Sequence, residues 1–289
     1  MTSHKRKAGD AEDEDEDQLI IAIDFGTTYS GVAYCFANHD DPKPTAIMDW
    51  PGSRGISMPK VPTAIKYGSG GDLKWGLEAD KTSGAITGIK LLLDPTQRRP
   101  THLFSDSSQR GLDAVGKSAV DVAGDIMRAI YQHALAEISK TIPEEYLEMC
   151  SKVFVLTVPA VWSEGAKHAT MRAAEIAGIH PVTLIKEPEA AALFATQSMN
   201  FALNPGDAFV VCDAGGGTVD LISYEVESIH PRLCVRELVP GTGGMSGSVG
   251  LNIRFDEAVQ ALVGPKQWMK LQGTRALKTA QKQFDQEIK

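Results

Sequence analysis

The 289-residue chain lacks the features that mark membrane, secreted and zinc-cluster proteins. No apolar run approaches the roughly 20 residues that a helix needs to cross a bilayer. Acidic residues rather than an apolar segment follow the basic residues near the start, so the sequence predicts no signal peptide. The four cysteines lack the paired spacing of a metal site, which indicates a reducing compartment. Cys35 and Cys212 lie in apolar runs, and we expect both to be small core residues.

The chain also lacks an excess of basic residues, since its net charge is -8. Residues 1–18 contain three basic and seven acidic residues and almost nothing apolar, which predicts a disordered acidic tail. The basic cluster in this tail could act as a nuclear import signal, although such clusters are usually longer. We therefore expect a cytoplasmic location, with the nucleus as the alternative, and neither a nucleic-acid nor a membrane partner.

A strand, a polar turn and a second strand follow the tail. The apolar runs Leu19–Ile23 and Val32–Phe36 are typical of buried strands. The turn between them contains an acidic residue, a glycine and two threonines: Asp24, Gly26, Thr27 and Thr28. Backbone N–H groups in such a turn can bind an anion, and the carboxylate suits a hydrated cation such as Mg²⁺. An ordinary β-hairpin with a polar turn would explain the same residues.

The same arrangement occurs a second time, which favours the binding interpretation over the hairpin. Phe209–Cys212 is an apolar run, and strand character resumes over Leu221–Val226. The turn between them again combines acidic, glycine and threonine residues: Asp213, Ala214, Gly215, Gly216, Gly217, Thr218, Val219 and Asp220. Two such units predict two lobes that bind one polyphosphate from opposite sides. Asp220 closes its turn, and a structural role would explain it.

The two turns resemble the phosphate-binding turns of the actin-like ATPase superfamily, which includes actin, sugar kinases and the 70-kDa heat-shock chaperones. Three further stretches are similar to the chaperones in order and spacing: Thr157–Trp162, Ala173–Ile179 and Glu187–Leu193. The Val-Trp pair at the end of the first stretch is typical of a divergent branch of that family. The resemblance covers about residues 19–254 and implies an α/β fold of the actin-like, or ribonuclease H-like, type.

The resemblance implies one complete lobe and a partial second lobe. Lobe I corresponds to residues 19–205, with an inserted subdomain at about 60–115, and the partial lobe II corresponds to 206–289. No third glycine-rich turn or peptide-binding domain follows, so we expect a C-terminally truncated ATPase domain. This chain has Gly247-Ser248-Val249-Gly250 where the chaperones have Gly-Gly-Glu-Asp, and it lacks both acids, so the roles of those acids do not transfer to this chain.

The resemblance also implies roles for individual residues. Asp24 and Asp213 would hold hydrated Mg²⁺, Glu187 would position the attacking water, and Lys90 would neutralise the terminal phosphate, with Lys81 as the alternative lysine. The nucleotide-binding residues would be Asp24, Gly26, Thr27, Thr28, Gly215, Gly216, Gly217 and Thr218, and the catalytic residues Lys90, Glu187 and Asp213. Without the resemblance, Lys90 would be a surface lysine and Glu187 an ordinary helix start.

Helical spacing elsewhere predicts elements that pack without taking part in chemistry. Apolar residues recur every three or four positions over Val115–Ile138, which predicts one long helix, whereas 94–113 is polar and predicts a loop. A helix is also expected over Thr274–Lys289. The resemblance implies that one or more charged residues of this last helix contact adenine and ribose, and the candidates are Lys282, Asp285 and Lys289.

The sequence therefore favours an ATP-binding, chaperone-like ATPase domain with weak ATP hydrolysis. ATP and Mg²⁺ would be its cofactors, and unfolded client proteins or co-chaperones its partners. A non-catalytic interaction module with the same fold is the first alternative. A small-molecule kinase on this fold is the second, although the sequence shows no acceptor site for a small molecule.

Overall fold

The computed structural model describes residues 17–37, 42–68, 70–94, 107–198, 203–230 and 233–289, which form a mixed α/β structure. The strands are β1 (Gln18–Phe25), β2 (Tyr29–Phe36), β3 (Thr45–Ala46), β4 (Val61–Pro62), β5 (Ala64–Tyr67), β6 (Leu73–Trp75), β7 (Ile86–Thr87), β8 (Ser151–Val158), β9 (Val182–Lys186), β10 (Ala208–Ala214), β11 (Val219–Ser228) and β12 (Cys234–Gly244). The helices are α1 (Gly76–Asp80), α2 (Ser107–Val115), α3 (Ala119–Ile138), α4 (Glu144–Met149), α5 (Glu164–Ile176), α6 (Glu187–Ser198), α7 (Ser248–Val263), α8 (Pro265–Leu271) and α9 (Arg275–Gln283). A 3₁₀ turn spans Ile89–Leu93, and a π-helical turn spans Phe284–Ile288.

The main sheet has the strand order β3-β2-β1-β8-β9, and β4 also pairs with β2. β1 runs antiparallel to β2 and parallel to β8, and β8 runs parallel to β9. Every second side chain of β1 is buried, as the alternation of a strand requires. These side chains join those of β8, α3 and α5 in one large hydrophobic cluster. The carboxyl ends of the parallel strands lie at one edge, where ligands bind in open α/β sheets.

The second sheet, β10-β11-β12, is antiparallel and follows α6 along the chain. Ala192 of α6 packs against Ile222 and Tyr224 of β11, which covers one face of the sheet. β10 and β11 pair in a register that places Asp213 opposite Asp220. A short third sheet, β6-β5-β7, lies within the region predicted to hold an inserted subdomain.

The long helix predicted at 115–138 begins later than the apolar spacing indicates. Val115 ends α2, and Gly116 follows with a φ of 64°. Ser118 then caps α3, because its hydroxyl accepts from the N–H of Asp121 while the Asp121 carboxylate accepts from the N–H of Ser118. The prediction that one helix includes Val115 is wrong, since this capping box starts a new helix. The loop predicted at 94–113 is wrong for 107–113, which belong to α2, and 95–106 lie outside the described residues.

Two expectations about single segments also change. Cys212 is exposed and Cys35 only partly buried, so the prediction that both are core residues is wrong. β1 begins at Gln18, and the Tyr146 hydroxyl donates to the Asp17 carboxylate at 2.6 Å, so the last two residues of the predicted tail belong to the folded part. Residues 1–16, the rest of that tail, lie outside the described residues. Across the described ranges, no helix has both the length and the apolar character that a membrane crossing requires.

Candidate functional site

A cleft of about 920 Å³ lies between the main sheet and the second sheet. It collects the polar turns of both sheets, the 3₁₀ turn, the start of α6 and the π-helical turn. The residues that the sequence proposed for the site all line this cleft: Asp24, Gly26, Thr27, Thr28, Lys90, Glu187, Asp213, Gly215, Gly216, Gly217 and Thr218. Lys81, the alternative lysine, is not among the residues that line it, and its Nζ donates to the carbonyl oxygen of Gly52 at 3.3 Å.

The first turn joins β1 to β2 and is held in shape by glycine. A Cβ at Gly26 would overlap the carbonyl oxygen of Tyr29, so a larger residue could not adopt this turn. Asp24, at the end of β1, uses both carboxylate oxygens. Its Oδ1 accepts from the Thr157 hydroxyl at 3.1 Å, and its Oδ2 accepts from Lys60 Nζ at 2.5 Å. The turn therefore presents a carboxylate that side chains of two other segments already hold.

The second turn lies directly against the first across the cleft. A Cβ at Gly216 would lie 2.6 Å from both Cγ2 and Oγ1 of Thr28, and a Cβ at Gly217 would lie 3.0 Å from Oγ1 of Thr27. A Cβ at Gly216 would therefore press on the first turn, and a Cβ at Gly217 would also lie 2.7 Å from a methyl group of Leu91. The absence of side chains at Gly216 and Gly217 allows the two turns to meet, and successive N–H groups in glycine-rich turns of this kind can bind an anion.

The start of α7 closes the second turn from behind. The N–H groups of Gly247, Ser248 and Val249 donate to the carbonyl oxygens of three turn residues at 3.1, 3.0 and 2.9 Å. These acceptors belong to Gly217, Gly215 and Gly216 in that order. Amide groups at a helix start have no partner within the helix, so the turn carbonyls satisfy them here. These three backbone hydrogen bonds hold the turn in place, and they need none of the acidic side chains that this chain lacks at the start of α7.

Lys90 and Glu187 form a buried ion pair in the cleft. Only 4% of the Lys90 side chain is exposed, and the flanking residues Ile89 and Leu91 of the 3₁₀ turn are buried as well. Lys90 Nζ donates to Oε1 of Glu187, the first residue of α6, and lies 5.5 Å from the centre of the Trp162 ring. Burial raises the pKa of Glu187; the Lys90 ammonium opposes the shift, and the carboxylates of Asp24 and Asp213 add to it.

Asp220 supports the second turn from inside the second sheet. It is 1% exposed, and its Oδ2 accepts from the Thr218 hydroxyl at 2.9 Å. Its Oδ1 has no hydrogen-bond partner among the described residues. Burial raises the pKa of Asp220, with a further contribution from the Asp213 carboxylate, while the Thr218 hydroxyl and the Lys90 charge act against it. The geometry agrees with a structural role in orienting Thr218.

Comparisons with known proteins agree with the motifs that line the cleft. A sequence model of the family described as "Hsp70 protein" matches residues 113–228. The chain is 27% identical to human "Heat shock 70 kDa protein 12B" over 85% of this chain and 45% of that protein. It is 32% identical to "Chaperone protein DnaK" of Buchnera aphidicola over 73% of this chain and 32% of that protein.

The chain belongs to the 70-kDa heat-shock protein family. A third relative, the "Chaperone protein HscA homolog" of Chromobacterium violaceum, is 30% identical over 71% of this chain and 32% of that protein. The family resemblance predicted from the motifs is confirmed. Membership supports a nucleotide-binding ATPase domain, and the mixed α/β structure is consistent with the actin-like fold. The chain spans less than half the length of the curated relatives that it matches.

The donor atoms in the cleft suit the cofactors that heat-shock ATPases use. The carboxylates of Asp24 and Asp213 are oxygen donors, which Mg²⁺ prefers, and they come from opposite turns. Within the described residues, no three His, Cys, Asp or Glu side chains cluster closely enough to hold a metal ion. Two separated carboxylates fit an ion that keeps several of its waters. Gly215, Gly216 and Gly217 leave this turn without side chains, which suits an anion bound through backbone N–H groups.

Sequence reasoning missed several residues that line or support the cleft. Thr157, the next-to-last residue of β8, lies beside Asp24, and the rule that parallel strands place their carboxyl ends together could have found it. Trp162 belongs to a stretch that resembles the family, but sequence reasoning assigned it no role in the site. Lys60 carries no local signal, because its position depends on how distant segments pack. Of the three charged residues that the sequence offered as candidates for the adenine and ribose contacts, Asp285 and Lys289 line the cleft. Lys282 instead lines an adjoining pocket of about 380 Å³.

Proposed function

We propose that the cleft binds ATP together with Mg²⁺ and that the chain hydrolyses ATP weakly, as a chaperone-like ATPase domain. The observation that carries the proposal is the meeting of two glycine turns, two carboxylates and one buried lysine–glutamate pair in a single cleft. Family membership supports the same assignment. Phosphoryl transfer depends mainly on positioning and charge neutralisation, and these parts supply both.

The two turns would hold the phosphates. The backbone N–H groups of Thr27, Thr28, Gly216 and Gly217, which line the cleft, would donate to phosphate oxygens. Thr218 also lines the cleft and would add its N–H, while its hydroxyl donates to Asp220. Lys90 would place its ammonium group beside the terminal phosphate. Because its stem is buried in the 3₁₀ turn, little side-chain freedom would be lost on binding.

Glu187 would orient the attacking water and accept its proton. Burial raises the pKa of this carboxyl group, which makes it a stronger base than an exposed glutamate. Its hydrogen bond to Lys90 fixes the carboxylate at the start of α6. Asp24 and Asp213 would hold the hydrated Mg²⁺, which would supply positive charge to the phosphate oxygens.

The Asp213→Asn variant tests the site directly. We expect ATP affinity in the presence of Mg²⁺ to fall about tenfold, or about 1.4 kcal/mol, because one metal-binding carboxylate is lost. The melting temperature without ligand should stay nearly unchanged. Calorimetric titration with ATP, a phosphate-release assay and thermal denaturation give the three readouts. Asp113→Asn, an exposed position on α2, is the matched control.

Three results would contradict the proposal. A loss of stability without ligand as large as the loss of binding would make Asp213 a structural residue. Binding of ATP with no phosphate release would instead indicate a non-catalytic module, and release only in the presence of a sugar would indicate a small-molecule kinase. Neither the non-catalytic module nor the small-molecule kinase is favoured, because the relatives described above belong to the heat-shock protein family.

We extend the proposal to unfolded proteins or co-chaperones as partners, since two of the three relatives described above carry the name chaperone. An unfolded protein added to the phosphate-release assay should raise the rate if the chain responds to clients. An unchanged rate over a wide concentration range of the unfolded protein would count against a chaperone role for this chain.

A further inference from the structure

Lys60 is fixed beside the first turn by the short strand that follows it. β4 pairs with β2 so that Val61 lies opposite Ser30. The Ser30 and Thr63 hydroxyls share a buried hydrogen bond of 2.8 Å, and the N–H of Thr63 donates to the carbonyl oxygen of Thr28 at 2.8 Å. The backbone that carries Lys60 is therefore anchored to the turn, although this lysine lies 36 residues from Asp24 in the chain.

Gly31 provides the space that the Lys60 side chain needs to reach Asp24. Gly31 lies opposite Asp24 in the β1–β2 register. A Cβ at Gly31 would lie 2.9 Å from the carbonyl oxygen of Pro59 and 3.2 Å from Cγ of Lys60. The missing side chain allows the 59–60 segment to pass over β2, so that Lys60 Nζ reaches Asp24 Oδ2 at 2.5 Å.

Lys60 differs from the other cations of the cleft in its exposure. Lys90 is buried against Glu187, and Lys289 pairs with Asp285 one helical turn away. The Lys60 side chain is 51% exposed and that of Asp24 is 36% exposed. Exposed ion pairs contribute only about 0.2–1 kcal/mol, so Lys60 can exchange the carboxylate for another anion at little cost.

From these contacts we propose that Lys60 is a tethered cation that competes with the divalent metal for Asp24 and lowers the dependence of ATP binding on Mg²⁺. The inference rests on the proposed function, because it assigns a regulation to the same site. With ATP alone in the cleft, the ammonium group of Lys60 balances the charge of Asp24 and of the phosphates. With Mg²⁺ also present, Lys60 must leave Asp24 before that carboxylate can serve the metal.

The first test needs no nucleotide. Mn²⁺ is titrated as a probe into the wild-type chain and the Lys60→Met variant, and binding is followed by calorimetry. Removal of Lys60 frees Asp24, so Mn²⁺ affinity should rise about tenfold. Lys140→Met is the matched control, because Lys140 is also exposed and pairs with one carboxylate, that of Glu137, but does not line the cleft. Equal or absent Mn²⁺ binding in wild type and Lys60→Met would overturn the competition.

The second test compares ATP affinity with Mg²⁺ and with EDTA. We expect the ratio of the two dissociation constants to be about tenfold larger in Lys60→Met than in the wild type, and Lys60→Arg to restore the wild-type ratio. Gly31→Ala keeps the charge but crowds its path, so it should change the ratio in the same direction as Lys60→Met. An unchanged ratio in Lys60→Met would overturn the proposed effect on nucleotide binding.

The two tests separate the inference from the proposed function. If ATP binds to no variant under either condition, the proposed function fails, and the Mn²⁺ titration still decides whether Lys60 competes for Asp24. Thermal denaturation checks each variant for folding. The exposed pair contributes little stability, so Lys60→Met should melt close to the wild type.

Discussion

At the scale of single residues, Lys90 is the most consequential side chain of the cleft. We predict that Lys90→Met lowers the free energy of unfolding by about 3 kcal/mol at neutral pH, because Glu187 then keeps a buried charge without its partner. Burial already raises the pKa of Glu187, and loss of Lys90 raises it further. The destabilisation should therefore be largest at neutral pH and decrease as pH falls through this raised pKa, since protonated Glu187 needs no counter-charge.

Urea denaturation at several pH values measures this dependence. Lys140→Met removes an exposed lysine and should change stability by less than about 0.5 kcal/mol at every pH. A pH-independent loss in Lys90→Met would show that the lysine stabilises the fold through packing of its stem rather than through charge.

The residues of the cleft were predictable from the sequence to different degrees. Asp24 and Asp213 each follow an apolar strand and begin a glycine turn, so local pattern placed both, and the structure brings them into one cleft. The position of Lys60 was not predictable, because its contact with Asp24 joins residues 36 positions apart in the chain. The contact also depends on the missing side chain at Gly31, which no local pattern marks. Local sequence patterns predict turns well, but they carry no information on contacts between segments that are distant in the chain.

At the scale of elements, the start of α3 depends on one capping residue. We predict that Ser118→Ala costs about 1 kcal/mol of stability, because the N–H of Asp121 loses its acceptor. Chemical denaturation should show a lower midpoint with an unchanged slope. Ser139→Ala, at the other end of the same helix, removes an exposed hydroxyl that donates to the carbonyl oxygen of Ala136, and should have little effect.

The two misplaced helix boundaries have a physical explanation in the same segment. Apolar spacing continues through Val115, yet Gly116 adopts a left-handed conformation that interrupts the helix. The sequence Ser118-x-x-Asp121 is a capping-box pattern, and this pattern marks the point where α3 begins. The apolar periodicity identified which residues of α3 face the core. The start of α3 depends on capping residues, which the periodicity does not reveal.

At the scale of the whole molecule, contact between the two turns sets how the sheets meet. We predict that Gly216→Ala weakens ATP binding by about tenfold or more, because the added Cβ would lie 2.6 Å from Thr28 and must displace one turn. Calorimetric titration measures the change. Gly165→Ala is the control, since the nearest atom to its Cβ would be 3.7 Å away. Wild-type affinity in Gly216→Ala would mean that the turns have room to separate without cost.

The overall architecture was predictable as a class, through the repeated turns and the family motifs, but burial in the second sheet was not. Phe209 and Val211 of β10 pack toward α6, while Val210 and Cys212 between them are exposed. An apolar run does not reveal whether one or both faces of a strand are covered. The apolar run around Cys212 fits a strand covered on one face as well as a strand covered on both, so the prediction that Cys212 is a core residue had no firm basis.

The indole ring beside Lys90 gives the molecule an optical property of its own. Trp162 is one of four tryptophans and is 4% exposed, with a cation 5.5 Å from its ring centre. Its ring N–H has no hydrogen-bond partner among the described residues. If ATP binds as proposed, movement of the Lys90 charge toward a phosphate should shift the emission wavelength of Trp162, and Trp162→Phe should abolish the signal. Under the proposed function, the fluorescence of this tryptophan would therefore report occupancy of the cleft without an attached dye.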